Sequence, residues 1–252
     1  MPDRADPVLP ARAAILRASL LSAAFGTLYR SRTLYWLAST IPFAGQWRVW
    51  QRRVLNRITG LEVLEIGSGI GTLFAEMVAA GYHCRAVDAS PQMVAATRAE
   101  LHRRGLANRD AQVLRARVQA LPFADAAFDT VVSTFPTDYI YSARSIEEIA
   151  RVLRPGGRLI VVEGATLLPA TVLLAPFALF QALAYGHRLA VRPTSGAHMP
   201  PNAIWTDELS PRPDAIPLEA AGLRRKTERD CSRKWVVYLT IGIKPPASEV
   251  RG

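Results

Sequence analysis

From Leu61 onward the chain alternates short apolar runs with amphipathic stretches, and turn residues separate them. LEVLEIG at 61–67 is a short run of the kind that forms a buried strand. GTLFAEMVAAG at 71–81 predicts a helix that ends at Gly81. HCRAVDA at 83–89 predicts a second strand, and Ser90-Pro91 suits the N-cap and first position of the next helix. That helix places Met93, Val94 and Leu101 on its apolar side. AQVLRARV at 111–118 and FDTVVSTF at 128–135 predict a third and a fourth strand. Ser145 and Glu148 have the spacing of a capping box for a helix through Leu153, Gly156-Gly157 turns the chain, and RLIVVEG at 158–164 predicts a fifth strand. Two closing strands are expected near LRRKTERD (223–230) and WVVYLTIGIK (235–244). The alternation predicts an α/β, doubly wound, mostly parallel seven-stranded sheet with helices on both faces. A reversal in strand order then puts a ligand crevice at the carboxyl ends of the first strands.

The pattern changes on either side of this block. Before it, Ile15, Leu16, Leu20 and Leu21 recur at helical spacing, and a second helix is expected over Trp47–Ile58. Residues 1–59 therefore read as an N-terminal helical cap, and 60–252 as the main domain. After Gly164 the alternation stops for about forty residues, so 165–203 reads as a hydrophobic insertion or lid. Residues 167–187 carry no Asp, Glu, Lys or Arg. Their length is close to the ~20 residues that span a bilayer, but Pro169 and Pro176 interrupt them, so a buried or interfacial helix is expected.

Charge is unevenly distributed. The net +10 divides into +7 over residues 1–59, −1 over 60–163 and +4 over 164–252. Basic flanks suit anionic partners such as a membrane surface, and they also occur on plain soluble surfaces. Two cysteines, Cys84 and Cys231, are too few for a disulfide framework, which points to a reducing cytoplasm. No secretory signal is expected, because Asp3, Asp6 and Arg17 disrupt its pattern.

The chemistry concentrates in E-I-G-S-G-I-G. Glycines at 67, 69 and 71 let the backbone turn tightly and approach a ligand, and a helix follows whose free N–H groups face it. Glu65 ends the first strand, and Asp88 ends the second, seventeen residues after Gly71. A carboxylate there can accept hydrogen bonds from ribose hydroxyls. The spacing G-x-G-x-G differs from the G-x-G-x-x-G of dinucleotide sites.

VLEIGSGIG, AVDASPQMV, LPFADAAFDTVV and RVLRPGGRLIVVE together resemble, in order and spacing, the motifs of class I S-adenosylmethionine-dependent methyltransferases, over about residues 45–165. The nearest group in resemblance comprises the ubiquinone- and menaquinone-biosynthesis and small-molecule methyltransferases. The resemblance implies a Rossmann-like fold with S-adenosylmethionine as cofactor. It implies that Glu65 and the Gly67–Ser68–Gly69 backbone, with Gly71 closing the turn, hold the methionine end. Asp88 would bind the ribose, Ala89 and Met93 would lie against adenine, Val118 and Gln119 would meet the adenine edge, and Thr134 would face the methionine portion. One position departs. Relatives usually read G-D-A-E-A-L-P-F where this chain reads A-R-V-Q-A-L-P-F at 116–123, so Arg117 replaces the acid expected at the adenine amine. Arginine cannot accept that bond. Another group meeting the amine, weaker binding and lost activity all stay open.

Methyl transfer from a sulfonium needs alignment above all, and a base only when the nucleophile must lose a proton. Candidates for that role are Asp138, Tyr139 and His187, with Tyr141 and His198 nearby in sequence. No metal site is expected. Aromatic and aliphatic residues before and after the central block (Phe25, Trp36, Trp47, Phe177) suggest a small, hydrophobic acceptor, or equally plain helix packing. The expected activity is therefore in-line methylation of a small molecule. The alternatives are a cofactor-binding but non-catalytic protein and a lipid or quinone methyltransferase at a membrane surface, in peripheral contact with its inner face. Nucleic acid is not expected as a partner, because aromatic residues are not interleaved with basic strands.

Overall fold

β1 (Glu62–Ile66) is apolar on both faces except for Glu62 at its start and the buried Glu65, as suits a central parallel strand. The computed structural model describes residues 43, 45–107, 109–168, 170, 174–176, 179, 204–206 and 216–248. Within them the chain continues through α2 (Thr72–Ala79), β2 (His83–Asp88), α3 (Pro91–Arg103), β3 (Ala111–Arg115) and β4 (Phe128–Thr134). A 3-10 turn (Asp138–Tyr141), α4 (Ala143–Val152) and β5 (Leu153–Leu167) follow, then β6 (Ile204–Thr206), β7 (Arg224–Cys231) and β8 (Trp235–Ile243). A short helix, α1 (Trp47–Gln51), precedes β1 and tightens into a 3-10 segment (Arg52–Arg57). The expected helix over Trp47–Ile58 is thus α-helical for only its first part. The helices expected before residue 43, and most of the 165–203 insertion, lie outside the described residues.

The strand order is β3-β2-β1-β4-β5-β8-β7-β6. Strands β1 to β5 pair in parallel, and β5-β8, β8-β7 and β7-β6 pair antiparallel. The expected doubly wound sheet is present. Its eighth member is β6, a three-residue edge strand paired with β7 that the sequence pattern did not predict. The chain steps outward from β1 to β2 and β3, then returns to β4 on the other side of β1. This reversal opens a crevice at the carboxyl ends of β1 and β4.

Alternate strand residues feed two cores. Val63, Val132, Ile160 and Val162 pack under α1, α2 and α3 with Trp50, Phe74 and Leu101. Leu64, Val131, Leu159 and Val161 pack under α4 with Ile146 and Ile149. β5 runs to Leu167, three residues past its expected end, because Val236 and Trp235 of β8 continue to offer partners beyond an irregularity between Val162 and Gly164.

Ser90 caps α3 as expected: its Oγ accepts from Met93 N at 3.4 Å, and Pro91 occupies the first turn. The expected capping box at Ser145 and Glu148 is not formed. Ser142 is the N-cap of α4, and Ser145 lies inside the first turn. The Glu148 carboxylate instead accepts from Leu121 N (3.0 Å) and from Arg151. Ser145 Oγ is buried with no hydrogen-bond partner among the described residues. Replacing Ser145 by alanine removes an unsatisfied hydroxyl, so a stabilisation of about 1 kcal/mol is expected. A melting temperature unchanged or lowered in Ser145→Ala would count against this.

Candidate functional site

The loop leaving β1 is held from three sides. Gly67 N donates to Val87 O at 2.8 Å, and Gly69 N donates to Asp88 Oδ2 at 3.3 Å. Thr97 Oγ1, from the middle of α3, donates to Gly69 O at 3.1 Å and lies 3.0 Å from Ser68 Oγ. Asp88 Oδ1 also accepts from Ser90 N at 2.9 Å. One carboxylate therefore fixes both the glycine loop and the start of α3.

Beside this loop is a crevice of about 420 Å³. Of the residues nominated by sequence, its wall contains Gly67, Gly69, Asp88 and Ala89 from the first two strand ends, Val118 and Gln119 after β3, Thr134 at the end of β4 and Tyr139 beyond it. Glu65, Ser68, Gly71, Met93 and Asp138 are not on the wall. Ser68 is tied back to α3, Met93 is a fully buried side chain of α3, and Asp138 is exposed on the 3-10 turn. His187 and His198 lie outside the described residues.

Tyr139 forms one side of the crevice. Its hydroxyl lies 2.8 Å from Ser133 Oγ and donates to Ile66 O at 3.3 Å. A Cβ at Gly67, whose φ is +75°, would stand 2.9 Å from that hydroxyl, so the site requires glycine there twice over.

At the far end Arg117 lies on the wall, solvent-exposed, and its guanidinium has no partner among the described residues. Gln119, two residues on, brings to the same wall a side-chain amide that can accept a hydrogen bond.

Phe135 was missed as a site residue. It lines the crevice at φ +50°, an uncommon region for a bulky side chain, and it immediately precedes Pro136. Such backbone strain costs on the order of 1–3 kcal/mol and persists only where the surroundings impose it. Here Phe135 N donates to Val162 O at 2.8 Å, and Trp47 of α1 stacks on the ring with centroids 4.0 Å apart. Gln51 Nε2 donates to Thr134 Oγ1 at 3.1 Å, so α1 reaches the crevice mouth at two points. The only sequence signal for this corner was the strand-ending F-P step.

Glu65 is fully buried behind the loop, and its Oε2 has no hydrogen-bond partner among the described residues. Burial, with the charge of Asp88 adding to it, pushes its carboxyl well above the ordinary value of 4.5. The folded protein therefore keeps this proton where the unfolded chain has released it. The resulting stability is fully present below the unfolded value and is lost as pH rises through the folded one. Glu65→Gln is expected to lessen the fall of melting temperature above about pH 4.5. Identical slopes for variant and wild type would assign that fall to other groups. Asp88 is pushed the same way by burial, against the opposing N–H bonds of Ser90 and Gly69.

Among the described residues no group of three or more His, Cys, Asp or Glu is placed to hold a metal ion, and no helix is long and apolar enough to cross a membrane.

Residues 64–161, which contain the glycine loop, Asp88, Thr134 and most of the crevice wall, match the family model of the methyltransferase domain. The chain has a class I S-adenosylmethionine-dependent methyltransferase fold. The crevice at the end of β1 lies within the matched residues. The demethylmenaquinone methyltransferase of Corynebacterium glutamicum (strain R) is 35% identical over 136 residues, 52% of this chain and 55% of that protein. That of Clavibacter sepedonicus is 35% identical over 122 residues, 48% of each. The chain thus spans about half the length of the curated relatives it matches. Among solved structures, magnesium protoporphyrin IX methyltransferase from Synechocystis PCC 6803 superposes with a TM-score of 0.50 at 16% identity, over 92% of this chain and 99% of that one. The methyltransferase solved with the Haloferax volcanii Trm112 activator gives 0.50 at 21% identity, over 82% and 94%. At these identities the likeness concerns the fold.

Proposed function

We propose that this chain is an S-adenosylmethionine-dependent methyltransferase that methylates a small, hydrophobic acceptor by in-line displacement. The observation that carries the reading is the Asp88 carboxylate at the end of β2, facing the crevice beside the Gly67–Gly71 loop. Bound there, the cofactor supplies a methyl group on a sulfonium. The residues present fit it. Asp88 offers acceptor oxygens to the ribose hydroxyls, and the glycine loop admits the methionine end without a Cβ in the way. Glu65, buried with an orphaned oxygen, offers a hydrogen-bond acceptor behind that end, where an ammonium is carried. The Gln119 side chain can accept from the adenine amine, which Arg117 cannot.

The acceptor side is apolar. Phe135 lines the crevice mouth, backed by the stacked Trp47 ring of α1. Such a wall excludes water and restricts a flat, apolar acceptor to few orientations, which is where alignment enters the rate. Of the expected candidates for a base, Tyr139 is on the crevice wall and Asp138 is not. A quinone-type ring is one acceptor compatible with this wall, as the names of the curated relatives suggest.

Calorimetry with S-adenosylhomocysteine, paired with detection of that product after incubation with S-adenosylmethionine and quinol, phenol and amine acceptors, tests the proposal. Saturable binding with turnover of at least one apolar acceptor is expected. Absence of binding rejects the reading. Binding without turnover of any acceptor favours the second reading, a non-catalytic cofactor binder, for which Arg117 on the adenine side is the supporting observation.

A further inference from the structure

A second cavity, of about 570 Å³, lies between the 3-10 segment Arg52–Arg57 and the antiparallel half of the sheet. Its wall is built from Arg53, Arg57, Arg158, Lys226, Glu228 and Asp230. Arg158 opens the parallel part of β5 and pairs with Ile243, so the cavity sits toward the amino-terminal ends of the parallel strands, away from the crevice. On β7 the alternation Lys226-Thr227-Glu228-Arg229-Asp230 turns Lys226, Glu228 and Asp230 to one face, the face of Ile241, Leu239 and Val237.

The charges inside do not balance. Arg57 is almost fully buried: its Nε donates to Glu228 at 2.6 Å, and its Nη2 lies 3.5 Å from Asp230 Oδ2 without hydrogen-bond geometry. Lys226 Nζ reaches the same Glu228 at 2.9 Å. Arg53 lies 3.8 Å from Asp230 and packs over the Trp235 ring. Arg158 has only a 3.5 Å contact to the Arg57 carbonyl. Four cations thus face two carboxylates. Three guanidinium nitrogens, Arg53 Nε, Arg57 Nη2 and Arg158 Nε, are buried with no hydrogen-bond partner among the described residues. Buried polar groups are rarely left this way, and an uncompensated buried charge is strongly destabilising.

We infer that this cavity is a second binding site, which takes a phosphate monoester. The excess of two positive charges matches a group carrying about −1.5 to −2 at neutral pH. Guanidinium forks suit phosphate oxygens, whereas a single carboxylate leaves one charge unanswered and a metal cation is repelled. The volume is in the ~300–1,000 Å³ range of small-molecule sites, so it accommodates more than the bare ion. The phosphate belongs either to a soluble metabolite or to a lipid headgroup.

Titration of the full chain with inorganic phosphate, followed by calorimetry and by the rise in melting temperature, tests the site. Saturable binding is expected, weakened at least ~10-fold in Arg158→Gln and in Lys226→Gln. Lys226 is half-exposed, so its variant carries the test if Arg158→Gln fails to fold. Arg117→Gln, at the other end of the sheet, is expected to bind phosphate as the wild type does. Co-sedimentation with phosphatidylcholine vesicles containing phosphatidic acid, lost in either cavity variant, identifies the headgroup as the source. Phosphate binding without such co-sedimentation identifies a soluble ester. No binding in either arm, or binding lost through Arg117→Gln and retained in the cavity variants, overturns the inference.

Discussion

Replacing Gly71 by alanine is expected to lower the melting temperature by on the order of 10 °C. Gly71 is the N-cap of α2 at φ +78°, and a Cβ there would stand 2.6 Å from Thr97 Cα. The obstruction is backbone in the middle of α3, so it yields only if the helix moves. Thr97 is itself fully buried and bonded to Ser68 and Gly69 O, so moving it disturbs the loop that lines the crevice. A left-handed conformation costs a Cβ-bearing residue about 1–2 kcal/mol, and overpacking about 1–3 kcal/mol. The sum is a large part of the ~5–15 kcal/mol that holds a domain folded. Gly81→Ala is the control: its φ is equally positive but nothing lies within 4 Å, so it is expected to show the backbone cost alone. Equal melting temperatures for the two variants would remove the steric part of the argument.

The same loop illustrates what a linear reading reaches. Gly67, Gly69 and Asp88 could be nominated from the glycine turn and the strand end, Ala89, Val118, Gln119 and Thr134 from the motif resemblance, and Tyr139 from the loop after β4, and the doubly wound sheet gathers them at one edge. Contacts across the chain are not encoded so locally. Trp47 and Phe135 meet only after the sheet has formed, and nothing in F-P announces a positive φ. Arg57 and Glu228 are 171 residues apart, and whether LRRKTERD directs its acids toward that arginine depends on strand register. The cap of α4 failed for a different reason. S-x-x-E occurs at Ser145, but Glu148 is claimed by Leu121 N–H and Arg151, and Ser142 three residues earlier starts the helix. Edge strand β6 is three residues long and carries too little pattern to be read.

Asp88→Ala is expected to weaken S-adenosylhomocysteine binding by at least ~100-fold, since two hydrogen bonds to a charged acceptor are lost at about 1.5–3 kcal/mol each. The variant separates two roles of one side chain. Asp88 already accepts from Gly69 N and Ser90 N, so part of any effect is structural. Those donors sit at the crevice edge, where water replaces the lost acceptor, and the fall in melting temperature is expected to be small beside the fall in affinity. Asp88→Asn retains the shape and one acceptor, and an intermediate loss is expected. The pH profile gives an independent readout. Burial raises the Asp88 carboxyl above its ordinary value, with the Ser90 and Gly69 bonds opposing. Ribose hydroxyls donate to the ionised form, so affinity should fall as pH drops through the raised value, and proton release should accompany binding in mildly acidic solution. Asp88→Asn should abolish that proton release. If Asp88→Asn binds as tightly as the wild type and keeps the same pH dependence, the carboxylate serves only to hold the loop, and the ribose contact must be assigned to another group on the crevice wall.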